Sequence, residues 1–269
     1  MGKLSQEMSQ LANKKHLADP ITSLLLLVYF IGIPLIIYLA SIELLPLWAG
    51  LLIGTFLMNL SFTAWHECSH NNFSQYKFLN TIIGVAAGAF SLYPGYFATK
   101  REHLIHHMFQ GQDGKDPVYP RIQTSFLGFP WKLLLNFRMK ISDPEVIAFM
   151  PLSAWQKTVD LMVYMVVVSI IFTSIMKGWF IALLFSWIIP RGLVFWMHAY
   201  YICFFPHQIA AGGYELFRVR KPSWFKRIIT VDQIMHGLHH KWVYIPWHRY
   251  KQAYGIIKES KNHEDLQIL

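Results

Sequence analysis

Four stretches of about twenty residues carry almost no charge, and they restrict the folds open to this chain. They run over 21–41, 47–65, 159–176 and 179–205. A helix crosses the roughly 30 Å hydrocarbon core of a bilayer with about twenty apolar residues. Within that core every backbone N–H and C=O must find its partner inside the protein, which a helix achieves locally. The stretches therefore predict four transmembrane helices. Pro34 is the one breaker in the first, and the turn at 42–46 has Glu43 as its only charge. Lys177-Gly178 is a minimal turn between the last two, and the fourth stretch is interrupted at Pro190-Arg191-Gly192. Hydrophobic residues make up 54% of the chain and charged ones 14%, a membrane-protein balance.

Against this apolar background the histidines are clustered. His66-Glu-Cys-Ser-His70, His103-Leu-Ile-His106-His107 and His236-Gly-Leu-His239-His240 hold eight of the thirteen. Residues at i, i+3 and i+4 share one helix face, so each cluster presents its imidazoles together. Neutral imidazole ligates iron, zinc or copper. Eight such ligands exceed one tetrahedral zinc and suit two metal ions side by side. His207, in Phe-Phe-Pro-His, is either a ninth ligand or an ordinary interfacial histidine. His198 reads as a hydrogen-bonded helix residue, and nothing gathers His16, His248 or His263 with the rest. Asp232, four residues before His236, orients that imidazole, binds metal itself or is a helix N-terminal acid.

The remaining segments set the organisation. Segment 79–98 is apolar but broken by Gly84, Gly88, Pro94 and Gly95. It reads as re-entrant or surface-lying, because a full span would carry His103 to the face opposite His66. Segment 126–139 mixes Phe129, Trp131 and Leu133 with Lys132 and Arg138, which suits an interfacial helix or an ordinary amphipathic one. Of the 24 lysines and arginines, only Lys177 falls in an external turn and only Arg191 inside a span. That asymmetry predicts a multi-pass integral membrane protein with both termini and the active site cytoplasmic. The expected fold is an all-α membrane protein, one domain over 1–269. It has four transmembrane helices, re-entrant or interfacial helices and a cytoplasmic histidine-rich cap. The net charge of +9 lies beside apolar runs, where lipid headgroups rather than nucleic acid are the expected partner. Cys68 and Cys203 are not expected to form a disulfide, and the polar first twenty residues predict no cleavable leader.

Three functions fit these residues. The clusters can form a bimetallic centre that acts on an apolar substrate supplied by the adjoining apolar runs. His66-Glu67-Cys-Ser-His70 also matches the H-E-x-x-H pattern of zinc proteases, with Glu67 as general base. A metal carrier or sensor without catalysis is the third. Arg191 contacts a polar part of a substrate or satisfies carbonyls freed at a helix break. Cys203, four residues before His207, reads as a small apolar filler.

The order H-x3-H, H-x2-HH, H-x2-HH between paired spans resembles the membrane-bound fatty acid desaturase and hydroxylase superfamily, carotenoid hydroxylases and ketolases included. The resemblance runs from Ala64 to Tyr254. It is carried by His66-Glu-Cys-Ser-His-Asn-Asn-Phe73, Arg101-Glu-His-Leu-Ile-His-His107 with Asp116-Pro117, and His236-Gly-Leu-His-His240 with Ile245-Pro-Trp247. Phe205-Pro-His207 and Ile-Pro-Trp are most similar to the carotenoid-oxidising branch. Asp232-Gln233 departs from the Asn or Gln common before the third box. The resemblance implies a cytoplasmic diiron centre ligated by His66, His70, His103, His106, His107, His236, His239 and His240, with His207 as a ninth. It also implies O2 as co-substrate, a fatty-acyl or carotenoid substrate, and electrons from an external ferredoxin- or cytochrome-type protein.

Overall fold

The computed structural model describes residues 3–12, 16–93, 95–119, 144–209, 215–219, 223–259 and 266–268. Segment 126–139 lies outside them. The chain divides into two compact units. One takes in Lys15–Thr99 and Leu152–Phe195; the other takes in Met1–Lys14, Lys100–Pro151 and Trp196–Leu269.

Helices α2 (Pro20–Ser41) and α3 (Leu47–Ser69) form the first hairpin, after the short α1 (Lys3–Gln10). Asp19 starts α2: its carboxylate accepts the Thr22 N–H at 2.8 Å, and Pro20 has no N–H to leave unpaired. Helix α3 runs past Trp65 to Ser69, so His66 stands inside the helix rather than just beyond it. Helix α4 (Lys77–Phe90) has 14 residues. That is about 21 Å, short of the bilayer core, which agrees with a segment that does not cross. Then come α5 (Tyr96–Met108), α6 (Pro144–Phe149) and α7 (Ala154–Met176). Helix α7 opens on a capping box in which Ser153 and Gln156 exchange side-chain and backbone hydrogen bonds. Among the described residues, helix α8 (Phe180–Phe204) completes four helices long and apolar enough to cross a membrane.

The membrane unit is built around α3, whose most apolar window is 56% buried against 11% for α7. Helix α7 accordingly exposes Leu161, Met162, Met165, Phe172 and Ile175, the face a bilayer would cover. Helix α8 does not break at Pro190. Pro190 cannot donate to the carbonyl four residues earlier, that of Ser186. The helix answers by widening into a π turn at Leu184–Ile188, where the Ile189 N–H reaches Leu184 O. Gly54 of α3 packs against the freed Ser186 carbonyl, and a Cβ on Gly50 would meet Ser186 Oγ at 2.7 Å. Gly50 and Gly54 are thus a small-xxx-small contact between helices. Arg191 stacks over Tyr93, 4.3 Å from its ring centroid, and lies 5.4 Å from that of Phe195. That contact places its charge against aromatic faces.

Asp160 is a further device of this unit. It is buried in α7, and its two carboxylate oxygens accept the Phe97 and Ala98 N–H groups at 3.0 and 2.9 Å. The first turn of α5, the helix that carries the second histidine cluster, is capped from a distant part of the chain.

Among the described residues, the second unit contains three short strands that the sequence reading did not anticipate. Strand β1 (His207–Ile209) pairs antiparallel with β2 (Glu215–Val219), setting His207 opposite Phe217. Strand β3 (Leu266–Ile268) pairs parallel with β2. Strands of three to five residues are too short to show an alternating pattern. Helices α9 (Trp224–Thr230), α10 (His236–Lys241) and α11 (Tyr250–Glu259) follow β2. Gly237 lets α10 close on β2, for a Cβ there would meet Arg218 O at 2.6 Å.

Candidate metal centre

In the second unit six histidines gather into two triads. His107 Nε2 lies 3.2 Å from His103 Nε2 and 3.1 Å from His239 Nε2. One ring nitrogen from each of His106, His207 and His240 falls within 4.8 Å of the others. The ring centroids of His207 and His240 are 4.2 Å apart, and His106 stands 4.8 Å from His207 and 4.9 Å from His240.

This partition corrects the expectation that each cluster turns one common face to the site. Consecutive residues on a helix point about 100° apart. His106 and His107 therefore face different triads, and so do His239 and His240. The two His-His pairs serve both groups. His236 joins neither triad. Its ring centroid is 5.1 Å from that of His239, and its Nδ1 is 3.3 Å from Gln233 Oε1.

Local backbone explains the third cluster. Val231 and Asp232 both adopt left-handed conformations, with φ of 48° and 59°, turning the chain sharply after α9. A turn of that kind costs strain in non-glycine residues and needs support. Arg227 supplies it: its Nε and Nη2 donate to Asp232 Oδ1 and Oδ2 at 2.7 and 3.0 Å. Asp232 thus holds the turn, and Gln233 rather than Asp232 stands beside His236.

Asp116, which sequence reasoning noted only as part of Asp116-Pro117, is a carboxylate in hydrogen-bond contact with a box histidine. It is 1% exposed, and its Oδ1 lies 2.8 Å from His106 Nδ1. The Gly111 and Val118 N–H groups donate to the same carboxylate at 3.0 and 2.8 Å. An acceptor at Nδ1 keeps the proton there and leaves Nε2 as the ligand atom. Asp116→Asn is expected to lower metal affinity by about 10–100-fold without unfolding the loop, read by equilibrium dialysis and elemental analysis.

The residues fit a metal ion at each triad. Bonds of about 2.0–2.1 Å to one ion place neighbouring imidazole nitrogens about 3.0–3.4 Å apart. The Nε2 separations of 3.1 and 3.2 Å in the first triad fall in that interval. His240 Nε2 is buried and makes no hydrogen bond among the described residues. Burial, then the neighbouring His207 and His107, hold the His240 pKa well below the usual 6.5, so the ring is neutral and ready to ligate.

The first cluster belongs to the membrane unit. His66 and His70 sit at the end of α3 with ring centroids 4.9 Å apart, and Phe62 stacks on His66 at 5.5 Å. Glu67 is fully buried, 3.5 Å from His66 Nδ1. An apolar groove of about 460 Å³ in the same unit is lined by Ser41, Ile170, Trp179 and Trp187. Ile33, Phe90, Val166 and Leu183 also line it. His198 is buried, Cys203 half-buried, and neither falls in a triad. His263 lies outside the described residues.

Four apolar helices joined to a histidine-rich unit define a class: helical integral membrane proteins with a candidate imidazole metal centre. Over residues 42–265 the chain matches the family model described as fatty acid desaturase, and it belongs to that family. The match takes in His66-Glu-Cys-Ser-His70. The chain is 29% identical over 147 residues to the Delta(12) fatty acid desaturase fat-2 of Caenorhabditis elegans, covering 51% of this chain and 35% of that one. It is 37% identical over 71 residues to a Delta(12)-fatty-acid desaturase of Arabidopsis thaliana, covering 26% and 18%. A Delta(12) acyl-lipid conjugase (11E,13E-forming) of Impatiens balsamina is 35% identical over 66 residues, covering 24% and 16%. The chain therefore spans about a third or less of the length of these relatives.

Proposed function

We propose that this protein is an O2-dependent oxidoreductase that introduces a double bond into a fatty-acyl chain, using two iron ions held by histidine. The observation that carries this reading is the pair of imidazole triads, each with its histidines drawn from separate parts of the sequence. His103, His107 and His239 would hold one ion, completed by His66 and His70 from the membrane unit; two imidazoles at i, i+4 on α3 are an incomplete site by themselves. His106, His207 and His240 would hold the other, with His236 beside them. The two units would then act as one integral-membrane domain.

Iron bound there would supply activation of O2 and removal of hydrogen from an unactivated C–H. The balance is one CH2–CH2 unit, one O2, two electrons and two protons giving one CH=CH unit and two waters. An external ferredoxin- or cytochrome-type protein would provide the electrons. The chain's own residues hold the imidazoles: Asp116 fixes His106, Arg227 and Asp232 fix the turn before the third box, and Asp160 fixes the start of α5. The acyl chain is favoured over a carotenoid because the relatives named above are acyl desaturases and an acyl-lipid conjugase. The distribution of lysine and arginine puts the histidine unit and both termini on the cytoplasmic side.

Membranes containing the protein, supplied with reductant, an electron carrier and acyl lipids, should yield under air a fatty acid lighter by two hydrogens, read by mass spectrometry. No product under nitrogen is the matching control. Purified protein carrying zinc and no iron, with no O2 consumed in the presence of lipid, would overturn the reading.

A further inference from the structure

Gln110 follows α5 by two residues, and its side-chain amide reaches both triads. The amide atom nearest the rings is 2.6 Å from His240 Nδ1 and 3.4 Å from His107 Nδ1. His107 belongs to the first triad and His240 to the second. That atom is placed as nitrogen, but amide oxygen and nitrogen exchange by a half-turn, and the partners decide between them.

The partners here are specific. His107 directs Nε2 at His103 and His239. His240 has its buried, unbonded nitrogen at Nε2. An imidazole that ligates a metal through Nε2 carries its proton on Nδ1. Both Nδ1 atoms facing Gln110 are then donors. An NH2 group in that position would set donor against donor, whereas an amide oxygen has two lone pairs and accepts from both.

We propose that Gln110 is a positioning residue that turns its amide oxygen to the Nδ1–H groups of His107 and His240, tying the two triads together. This rests on the metal-centre reading above. The oxygen fixes the rotation of one ring in each triad and makes both rings stronger ligands. Its loss weakens both metal sites at once, unlike loss of Asp116, which touches the second triad alone.

The test uses the full chain in detergent, stripped with chelator and titrated anaerobically with Co2+, whose visible absorption reports each site. Wild type is expected to take up two equivalents. Gln110→Leu, of similar size with no acceptor, should weaken both equivalents by about 10–100-fold. Gln110→Glu, whose carboxylate accepts from both N–H groups, should bind as tightly as wild type or tighter. Gln110→Glu as weak as Gln110→Leu means that nitrogen faces the rings and overturns the inference. So does Gln110→Leu that titrates as wild type, or that weakens one equivalent only. If Gln110→Leu does not fold, Gln110→Glu against wild type decides alone. A wild-type chain that takes up no Co2+ removes the metal centre itself, which is a different failure from altered variants of a chain that binds two.

Discussion

His240→Ala is expected to abolish product formation and to leave the chain with one tightly held metal ion instead of two. Three facts make this the most damaging single histidine change. The ring is buried among His106, His107, His207 and His236, so no solvent ligand replaces it readily. Its buried Nε2 makes no hydrogen bond among the described residues. Its Nδ1 is also the nearer of the two nitrogens that Gln110 reaches. Removing it takes one of three imidazoles from the second triad and one of two partners from Gln110. The loss should exceed the 10–100-fold typical of groups that only support a ligand. Elemental analysis and a fatty-acid product assay on the same preparation check it. His16→Ala, at an exposed position, is the silent control. Thermal melting of the metal-free proteins separates loss of metal from loss of fold. A His240→Ala chain that holds two irons and makes product would remove the second triad from the chemistry.

The second large effect is expected far from any histidine. Gly54→Leu should leave little folded protein after detergent extraction. Gly54→Ala should destabilise by about 1–3 kcal/mol, the usual range for overpacking. A Cβ at this position enters the Ser186 carbonyl oxygen and comes to 3.0 Å of Pro190 Cγ. Neither neighbour can swing away, since one is backbone and the other a ring. Helices α3 and α8 would have to separate, or the π turn before Pro190 would have to close. Gly192→Ala on the same helix α8 meets nothing within 4 Å and should be neutral or slightly stabilising. Thermal denaturation in detergent, followed by size-exclusion chromatography, compares the three. Equal stability of Gly54→Ala and Gly192→Ala would show that the helices do not depend on this contact.

The four spans were legible because hydrophobic length is a one-dimensional property that the bilayer reads directly. Their ends were less so. His66 falls inside α3 because the helix continues past the last apolar residue. Asp160 already lay inside the predicted span 159–176, but what satisfies its charge, the start of α5 more than sixty residues earlier in the chain, was not legible. Position 190 looked like an interruption, yet the helix absorbs the proline by widening into a π turn.

The histidine boxes were legible in the same local way. Spacings of three and four residues on a helix mark out side chains that can act together, whatever surrounds them. Chain order alone established a four-span membrane protein with three sets of imidazoles at helix ends. Tertiary structure decided how those imidazoles are shared. A turn of about 100° per residue sends His106 and His107, and likewise His239 and His240, to different neighbours. The neighbours themselves come from elsewhere: His207 from a three-residue strand, Asp116 from a loop, Gln110 from beyond a helix end. Hydrogen bonds and ring contacts of that kind depend on distances across the fold, and no local spacing encodes them.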